Sequence, residues 1–395
     1  MAGDQLRGDS AAPQPTSAYL DYNATAPVRP EAASAVIATL RTPGNASSPH
    51  AAGRQASALV QLGRSQLAEL LVCSPSELVF TSGATEANNL ALRAAAPNGG
   101  NIVVSATEHP AVLEAAHQVA ADQQCDLTII GVDGDGQLRF DELRAALSGP
   151  RRTLVSIMAA NNETGVLNNV QEIVKLTHAA GGIFHTDATQ LIGRLPLDLS
   201  VVAIDMLSLS AHKFGGPQGV GALFLRRRLP IAHRPLVRGG GQERGWRAGT
   251  LNVAGIAGMG AAAAAARAQL DPERRRIAQL RDRLETMVLS ALPDTKINGR
   301  SVSRLPGVTS MTFPGAPADA VLAGLPDVAA SDGSACSSGA LTPSHVLLAM
   351  GRTAEEADST VRFSLGYATT YAEIDFAVEQ VVSAVRRVKE AMWVS

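Results

Sequence analysis

The sequence has little that would suit it to a charged surface or an oxidising compartment. Its 34 Lys and Arg almost balance 36 Asp and Glu, leaving a formal net charge of -2. That argues against a nucleic-acid groove or a membrane surface as the main partner. Only three cysteines occur, Cys73, Cys125 and Cys336, with no CxxC and no His-paired spacing. Neither a disulfide scaffold nor a metal site is expected, and a cytoplasmic setting is the default. No apolar run is long enough to span a bilayer: residues 253–266 stop at Arg267, whereas a span needs about 20. A P-loop is absent. The G-x-G-x-x-A match at 258–263 lies in an Ala-rich helical run, so a dinucleotide fingerprint fails on context. The first 17 residues lack a basic start and an apolar h-region, and read as a loose tail, not a signal peptide.

What is present is a chain of 395 residues, 46% apolar and 18% charged, too long for one ordinary core. Strand patterns at 77–81, 102–105, 127–131, 154–159, 182–186, 206–210 and 221–225 alternate with amphipathic stretches such as 84–96, 111–123 and 170–179. This alternation predicts an α/β fold with a mostly parallel sheet covered by helices. Beyond about residue 268 the pattern changes: a charged helix at 272–292, a strand at 307–313, a short helix at 317–323 and a last helix at 374–393. The organisation is read as a tail (1–17), a large domain (18–267) whose first part could pack with the other unit, and a small α+β domain (268–395). Arg226-Arg227-Arg228 reads as a solvated turn.

Chemically capable residues cluster where strands should end, the place where open parallel sheets hold ligands. Phe80-Thr81-Ser82-Gly83-Ala84-Thr85-Glu86 is a strand passing through a Gly turn into a helix. It suits either a phosphate cradle or a plain capped helix start. His109 precedes Pro110 at a helix start; it could stack on a flat ring and move protons, or only cap. Asp187 closes an apolar strand, where a carboxylate needs a cationic partner or serves as an N-cap, and Gln190 follows three residues on. Lys213, between a buried strand and Gly215-Gly216-Pro217, is badly placed for a surface ion pair and well placed for a Schiff base, with Ser210 and His212 able to hold a phosphate beside it.

With these residues in this order, the chain resembles the NifS/IscS-like cysteine desulfurases of the class V aminotransferase superfamily, over about residues 18–390. The resemblance rests on Tyr19-Leu20-Asp21-Tyr22-Asn23-Ala24-Thr25, Thr107-Glu108-His109, Asn161-Asn162-Glu163-Thr164-Gly165, His185-Thr186-Asp187-Ala188, Ala211-His212-Lys213, Gly333-Ser334-Ala335-Cys336 and Val361-Arg362-Phe363-Ser364. It implies a homodimer of the pyridoxal 5'-phosphate (PLP) fold type I with the large domain binding the cofactor. It further implies that Lys213 carries PLP and that Asp187 pairs with the pyridine nitrogen. His109 would stack and shuttle protons. Gly83, Ala84, Thr85, Ser210 and His212 would bind the phosphate, with Thr250 reaching in from the second subunit. Gln190 would meet the ring hydroxyl, while Asn23, Asn162 and Arg362 would hold the substrate. Guanidinium suits a carboxylate on physical grounds as well.

The implied reaction takes L-cysteine to L-alanine and leaves sulfur as a persulfide on Cys336, for a sulfur-acceptor protein. Cys336 lies among Gly333, Ser334, Ser337, Ser338 and Gly339, a run with no large apolar anchor, so 331–340 is expected to be a mobile carrier segment. Cys73 and Cys125 flank apolar stretches and are expected to be inert. The chain departs from the family at Ala46, Gln218 and Asp332; the last places a negative charge near the thiol. A selenocysteine lyase, another C–S lyase, or a non-catalytic partner on the same fold are the alternatives.

Overall fold

The computed structural model of the chain describes residues 15–333 and 342–394. Cys336 and most of the segment around it lie outside the described residues, as does most of the N-terminal tail. Among the described residues the large sheet is built from β1 (Leu78–Thr81), β2 (Asn101–Ser105), β3 (Asp126–Ile130), β4 (Thr153–Ser156), β5 (Ile183–Asp187), β6 (Met206–Ser210) and β7 (Gly221–Leu225). Their spatial order is β1-β7-β6-β5-β4-β2-β3. Only β7 runs antiparallel to its neighbours. The reason is local: residues 211–220 are too few for the crossover that parallel pairing with β6 would need. Strands β1, β2, β4, β6 and β7 are buried at every residue, and the apolar runs in the sequence reflect layers of helix on both faces.

Those layers include α1 (Pro30–Leu40), α2 (Ala51–Leu71), α3 (Ala84–Ala95), α4 (Pro110–Gln123), α5 (Val170–Ala179) and α6 (Val253–Ala291). Pro30 and Pro110 occupy first turns, where a missing N–H costs nothing. α2 and α6 touch backbone to backbone, since a Cβ on Gly260 would stand 2.4 Å from the Gly63 Cα. Where the sequence predicts two helices, 253–266 and 272–292, the structure has one, α6, running through Pro272. The proline deprives only the Ala268 carbonyl of a donor, and Ala268 is exposed, so water can replace it. The uninterrupted helix joins two cores. Ile256, Met259 and Ala262 pack beneath the large sheet, while Ile277, Leu280, Leu284 and Val288 pack in the second core.

The second core lies behind an antiparallel sheet of β8 (Lys296–Ile297), β9 (Val308–Thr312), β10 (Ser331–Asp332) and β11 (Thr360–Ser364), ordered β10-β11-β9-β8. The C-terminal helix α7 (Tyr371–Val394) covers it; Val378, Val381 and Val385 are buried on its inner face as their spacing predicts. Ala18–Tyr19 pairs with Val328–Ala329, and Ala18 and Leu20 join this core. The chain then crosses towards the large sheet. Tyr22 is held there by Gly366, at which a Cβ would lie 2.0 Å from the Tyr22 ring. Arg226 differs from its two neighbours: its guanidinium donates to the carbonyls of Ile204 (2.7 Å) and Leu199 (3.0 Å), so it is a structural cap on a loop, whereas Arg227 and Arg228 are exposed. No helix among the described residues is long and apolar enough to cross a membrane.

β1 is an edge strand whose open backbone groups are covered by side chains, which blocks further pairing. Glu243 accepts from the Phe80 amide at 2.8 Å and pairs with Arg64 at 2.5 Å; Arg64 and Arg244 donate to the Leu78 carbonyl. The pair is nearly dry, with side chains 7% and 3% exposed. Here Glu243 and Arg244 lie at φ of 47° and 56°, left-handed values that are uncommon for non-glycine residues. Arg64→Ala would leave a buried carboxylate without its cation. We expect a loss of about 3–5 kcal/mol, read as a lower urea midpoint; a loss below about 1 kcal/mol would show that the pair is not needed.

Candidate active site

The C-terminal ends of β1, β4, β5 and β6 open into a cavity of about 390 Å³. Asn23, Gly83, Ala84, Thr85, His109 and Asn162 line it, together with Asp187, Gln190, Ser210, His212, Lys213 and Arg362. Residues predicted from twelve positions scattered over 340 of sequence thus meet in one place. Thr250 does not: it is exposed and absent from the wall. Cys336 lies outside the described residues.

One end is an amide cradle. β1 passes into α3 through Ser82 and Gly83, and the Glu86 carboxylate accepts from the Ser82 amide at 2.8 Å to fix the turn. β7 approaches so closely that a Cβ on Gly221 would lie 2.7 Å from the Gly83 Cα. Free amides at the start of a 12-residue helix, with Thr85, Ser210 and His212 alongside, form a site for a dianionic group. His212 is pushed down to about 4, first by burial and then by Lys213 and Arg194, and its Nδ1 lies 3.2 Å from the Thr25 hydroxyl.

Lys213 follows β6 on a single tight turn, and its Nζ donates to the carbonyls of Asn23 and Ala24, the latter at 2.7 Å. Arg194 braces this arrangement from behind, donating to the carbonyls of Tyr22 (3.0 Å) and Lys213 (3.4 Å) and to the Asn23 side chain. Burial drives Arg194 down to about 10, and Arg362 adds to the effect.

Asp187 stands at the end of β5, the middle strand of the sheet, with one oxygen accepting from Asn88 Nδ2 (2.7 Å) and the other from the Thr189 amide (2.9 Å). The second bond is of the N-cap kind, although the residues that follow form turns and not a helix. Beneath it on the same strand face, His185 bridges the hydroxyls of Ser156 (2.8 Å) and Ser208 (2.9 Å). Burial pushes it down to about 4, against the opposing pull of Asp187.

His109 is also a cap: its Nδ1 accepts from the Ala111 amide at 3.0 Å, leaving Nε2 to carry the proton of the neutral ring. Its pKa is lowered by burial, with Lys213 and His345 adding and Asp187 opposing. The preceding Glu108 is fully buried; burial and then the Asp187 charge raise its carboxyl well above the usual range, against a bond from the Met158 amide (2.8 Å). Opposite, Arg362 donates to the Asn162 carbonyl (3.2 Å) and pairs with Asp21 (2.9 Å), and Asn23 Nδ2 donates to the same carbonyl (2.8 Å).

Sequence reasoning missed Asn88, Glu108, Asp21, Arg194 and His345 as parts of this site. Asp21 and Glu108 lay inside quoted motifs, and a buried acid beside a site histidine was a usable signal. Nothing local marks Arg194 or Asn88. The cysteines away from the site are as expected: burial lifts Cys73 to about 12 and raises Cys125, so neither is a thiolate near neutral pH.

The family model described as aminotransferase class-V matches residues 18–376. A curated relative, cysteine desulfurase IscS of Anaeromyxobacter dehalogenans (strain 2CP-C), is 42% identical over 378 residues, covering 94% of this chain and 93% of its own. The solved NifS-like protein from Rickettsia africae ESF-5 superposes with a TM-score of 0.84 at 33% identity, covering 95% of this chain and 99% of that one. A structure described as SspA in complex with cysteine gives 0.78 at 30% identity, over 90% and 100% of the two chains. The chain belongs to the class-V aminotransferase family. Within it the chain is an enzyme of the PLP-dependent cysteine desulfurase type.

The His185 environment gives a stability test. Unfolded, the imidazole titrates near 6.5; folded, at about 4. Between these values the unfolded chain binds a proton that the folded chain does not, so this group's contribution is complete above about pH 6.5 and is lost as pH falls towards 4. Glu108 and Glu163, raised on folding, act in the opposite sense over that window. The comparison must therefore be between variants. His185→Gln should unfold at a urea midpoint that falls less steeply than that of the wild type from pH 6.5 to 4.5. Parallel slopes would mean that His185 binds its proton alike in the folded and unfolded chain.

Proposed function

We propose that this cavity holds PLP through Lys213 and that the protein converts L-cysteine to L-alanine, transferring sulfur to Cys336. The observation that carries the reading is a set of buried polar atoms on residues that line the cavity, with no partner among the described residues: Gln190 Oε1, Asn162 Oδ1, Thr189 Oγ1 and Arg362 Nε. Buried polar atoms are rarely left unsatisfied, and donors and acceptors gathered in one cavity ask for a polar ligand. The residues present fit the cofactor. A phosphate suits the amide cradle; a pyridine nitrogen suits Asp187; a ring hydroxyl suits Gln190; an aldehyde suits Lys213. When bound, the cofactor supplies an electron sink next to the substrate α-carbon.

The chain's own residues do the rest. Asn88 and the Thr189 amide hold Asp187 in one orientation, so that it can keep a proton on a ring nitrogen. Lys213 and the Nε2 of His109 are the groups able to take and return protons above the site, and burial keeps His109 neutral near pH 7. Arg362, with Asn162 and Asn23 beside it, would bind the substrate carboxylate. Cys336 then attacks the substrate sulfur: one C–S bond breaks, one S–S bond forms, and the substrate carbon gains a proton, so that cysteine plus thiol gives alanine plus persulfide. Thr250, exposed here, would complete the phosphate site of a second copy in a homodimer. A sulfur-acceptor protein would take the persulfide.

Asp187→Asn keeps the shape of the side chain but cannot hold a pyridinium proton. We expect an intact fold with turnover lowered by about 10²–10³ or more; wild-type kinetics would reduce Asp187 to a cap. Cys336→Ala should keep the visible cofactor band and its change on adding L-cysteine, yet release no sulfide. Sulfide release at the wild-type rate would contradict persulfide transfer, and release from selenocysteine or a thioether alone would favour another C–S lyase.

A further inference from the structure

Glu163 has no role in the site as described, and its surroundings are unusual for a carboxyl. It follows Asn162 on a turn shaped by Asn161, whose side-chain oxygen accepts from the amides of Glu163 and Thr164, both at 2.9 Å. The residue is 4% exposed. It reaches past Arg362 to the ends of the segment 334–341. On one side Ser344, also buried, donates its hydroxyl to Glu163 Oε2. On the other lies Gly333, where a Cβ would fall 2.5 Å from the same oxygen. The φ of Gly333 is not positive, so what a side chain there would disturb is the carboxyl of Glu163.

The geometry points to Glu163 as a positioning residue for sulfur transfer: its carboxyl fixes Gly333 and Ser344, the residues between which the Cys336 segment is strung, relative to Arg362. The inference rests on the proposed reaction, in which Cys336 must meet a substrate held by Arg362. Asn162 and Glu163 are adjacent, so one turn presents a carbonyl to Arg362 and a carboxyl to both ends of the segment. A shift of Gly333 or Ser344 would move the residues that flank the Cys336 segment, and misplaced reacting groups cost rate far more than binding.

The charged groups facing Glu163 are Arg362 on β11, already paired with Asp21, and Asp332 on β10. Burial raises its pKa to about 7, with Asp332 adding and the Ser344 bond and Arg362 opposing. It is neutral below that value and charged above it. The Ser344 bond and Arg362 both favour the charged carboxylate, so ionisation tightens the bond to Ser344 as pH rises, against the repulsion of Asp332.

The test uses the PLP-loaded enzyme, with kcat and KM for L-cysteine, persulfide on Cys336 read by alkylation and mass spectrometry, and melting temperature as the control for folding. Glu163→Ala and Ser344→Ala should each lower kcat and the persulfide burst about tenfold, with KM changed less than about threefold and the double variant no worse than either single one. Glu163→Gln keeps an acceptor for Ser344 without a charge. It should recover most of the rate below about pH 7, and its kcat relative to wild type should fall as pH rises through about 7, where the wild type gains the charged acceptor. Thiol ionisation affects both enzymes alike and cancels in that ratio. A flat ratio, additive losses, or wild-type kcat in Glu163→Ala would overturn the inference. Absence of any persulfide in the wild type would instead overturn the proposed reaction, leaving the two failures distinguishable.

Discussion

Two hydrogen bonds fix Asp187 at the end of the middle strand of the sheet, and the remaining chemistry is disposed about that point. The strand is buried, so the carboxylate cannot turn to water, and Asn88 and the Thr189 amide each take one oxygen. The groups near it answer to its charge. Glu108 is pushed towards its neutral form by burial and by Asp187, and His109 stays neutral because burial outweighs the pull of that same carboxylate. A low-dielectric wall makes each charge count for more than it would at a surface. The consequence is a cavity in which protonation states are set before any ligand arrives.

Around that centre the fold supplies position. The sheet delivers Asp187, Ser210 and Lys213 from adjacent strands β5 and β6, while the small sheet delivers Arg362 from β11. The residues after Tyr19 cross between the two, and Asn23 touches both sides, its amide donating to the Ser364 hydroxyl on β11 and its carbonyl receiving Lys213 and Gln190 from the other. α6, packed into both cores, is the mechanical link between the sheets. Lys213 and Arg362 thus sit on different cores joined by one helix and one crossing strand, and their separation depends on both.

The legible parts of the fold were those written in local pattern. β6, β7 and α5 appear at the boundaries that periodicity gives, and β2 and β5 lie within a residue of them, because buried strands and half-buried helices concentrate apolar residues in short, regular patterns. Lys213 and Asp187 were legible for a related reason: a charge that directly ends an apolar strand has few structural uses. Arg194 was not, since what makes it matter is the arrival of the Tyr22 and Lys213 carbonyls from distant parts of the chain. Asn88 looks like any polar residue on a helix until α3 is laid against β5. Pro272 misled in the other direction, because a lost hydrogen bond at an exposed carbonyl is too small a defect to end a helix packed at both ends.

The central claim is that the amine of Lys213, at the end of β6, carries the cofactor in the cavity that Asp187 organises. Borohydride reduction of the purified protein, followed by peptide mass spectrometry, addresses it directly. The account predicts a single pyridoxyl adduct on Lys213, with the visible band lost on reduction. An adduct on Lys175, Lys296 or Lys389 in place of Lys213, or no adduct at all in protein supplied with PLP, would contradict it.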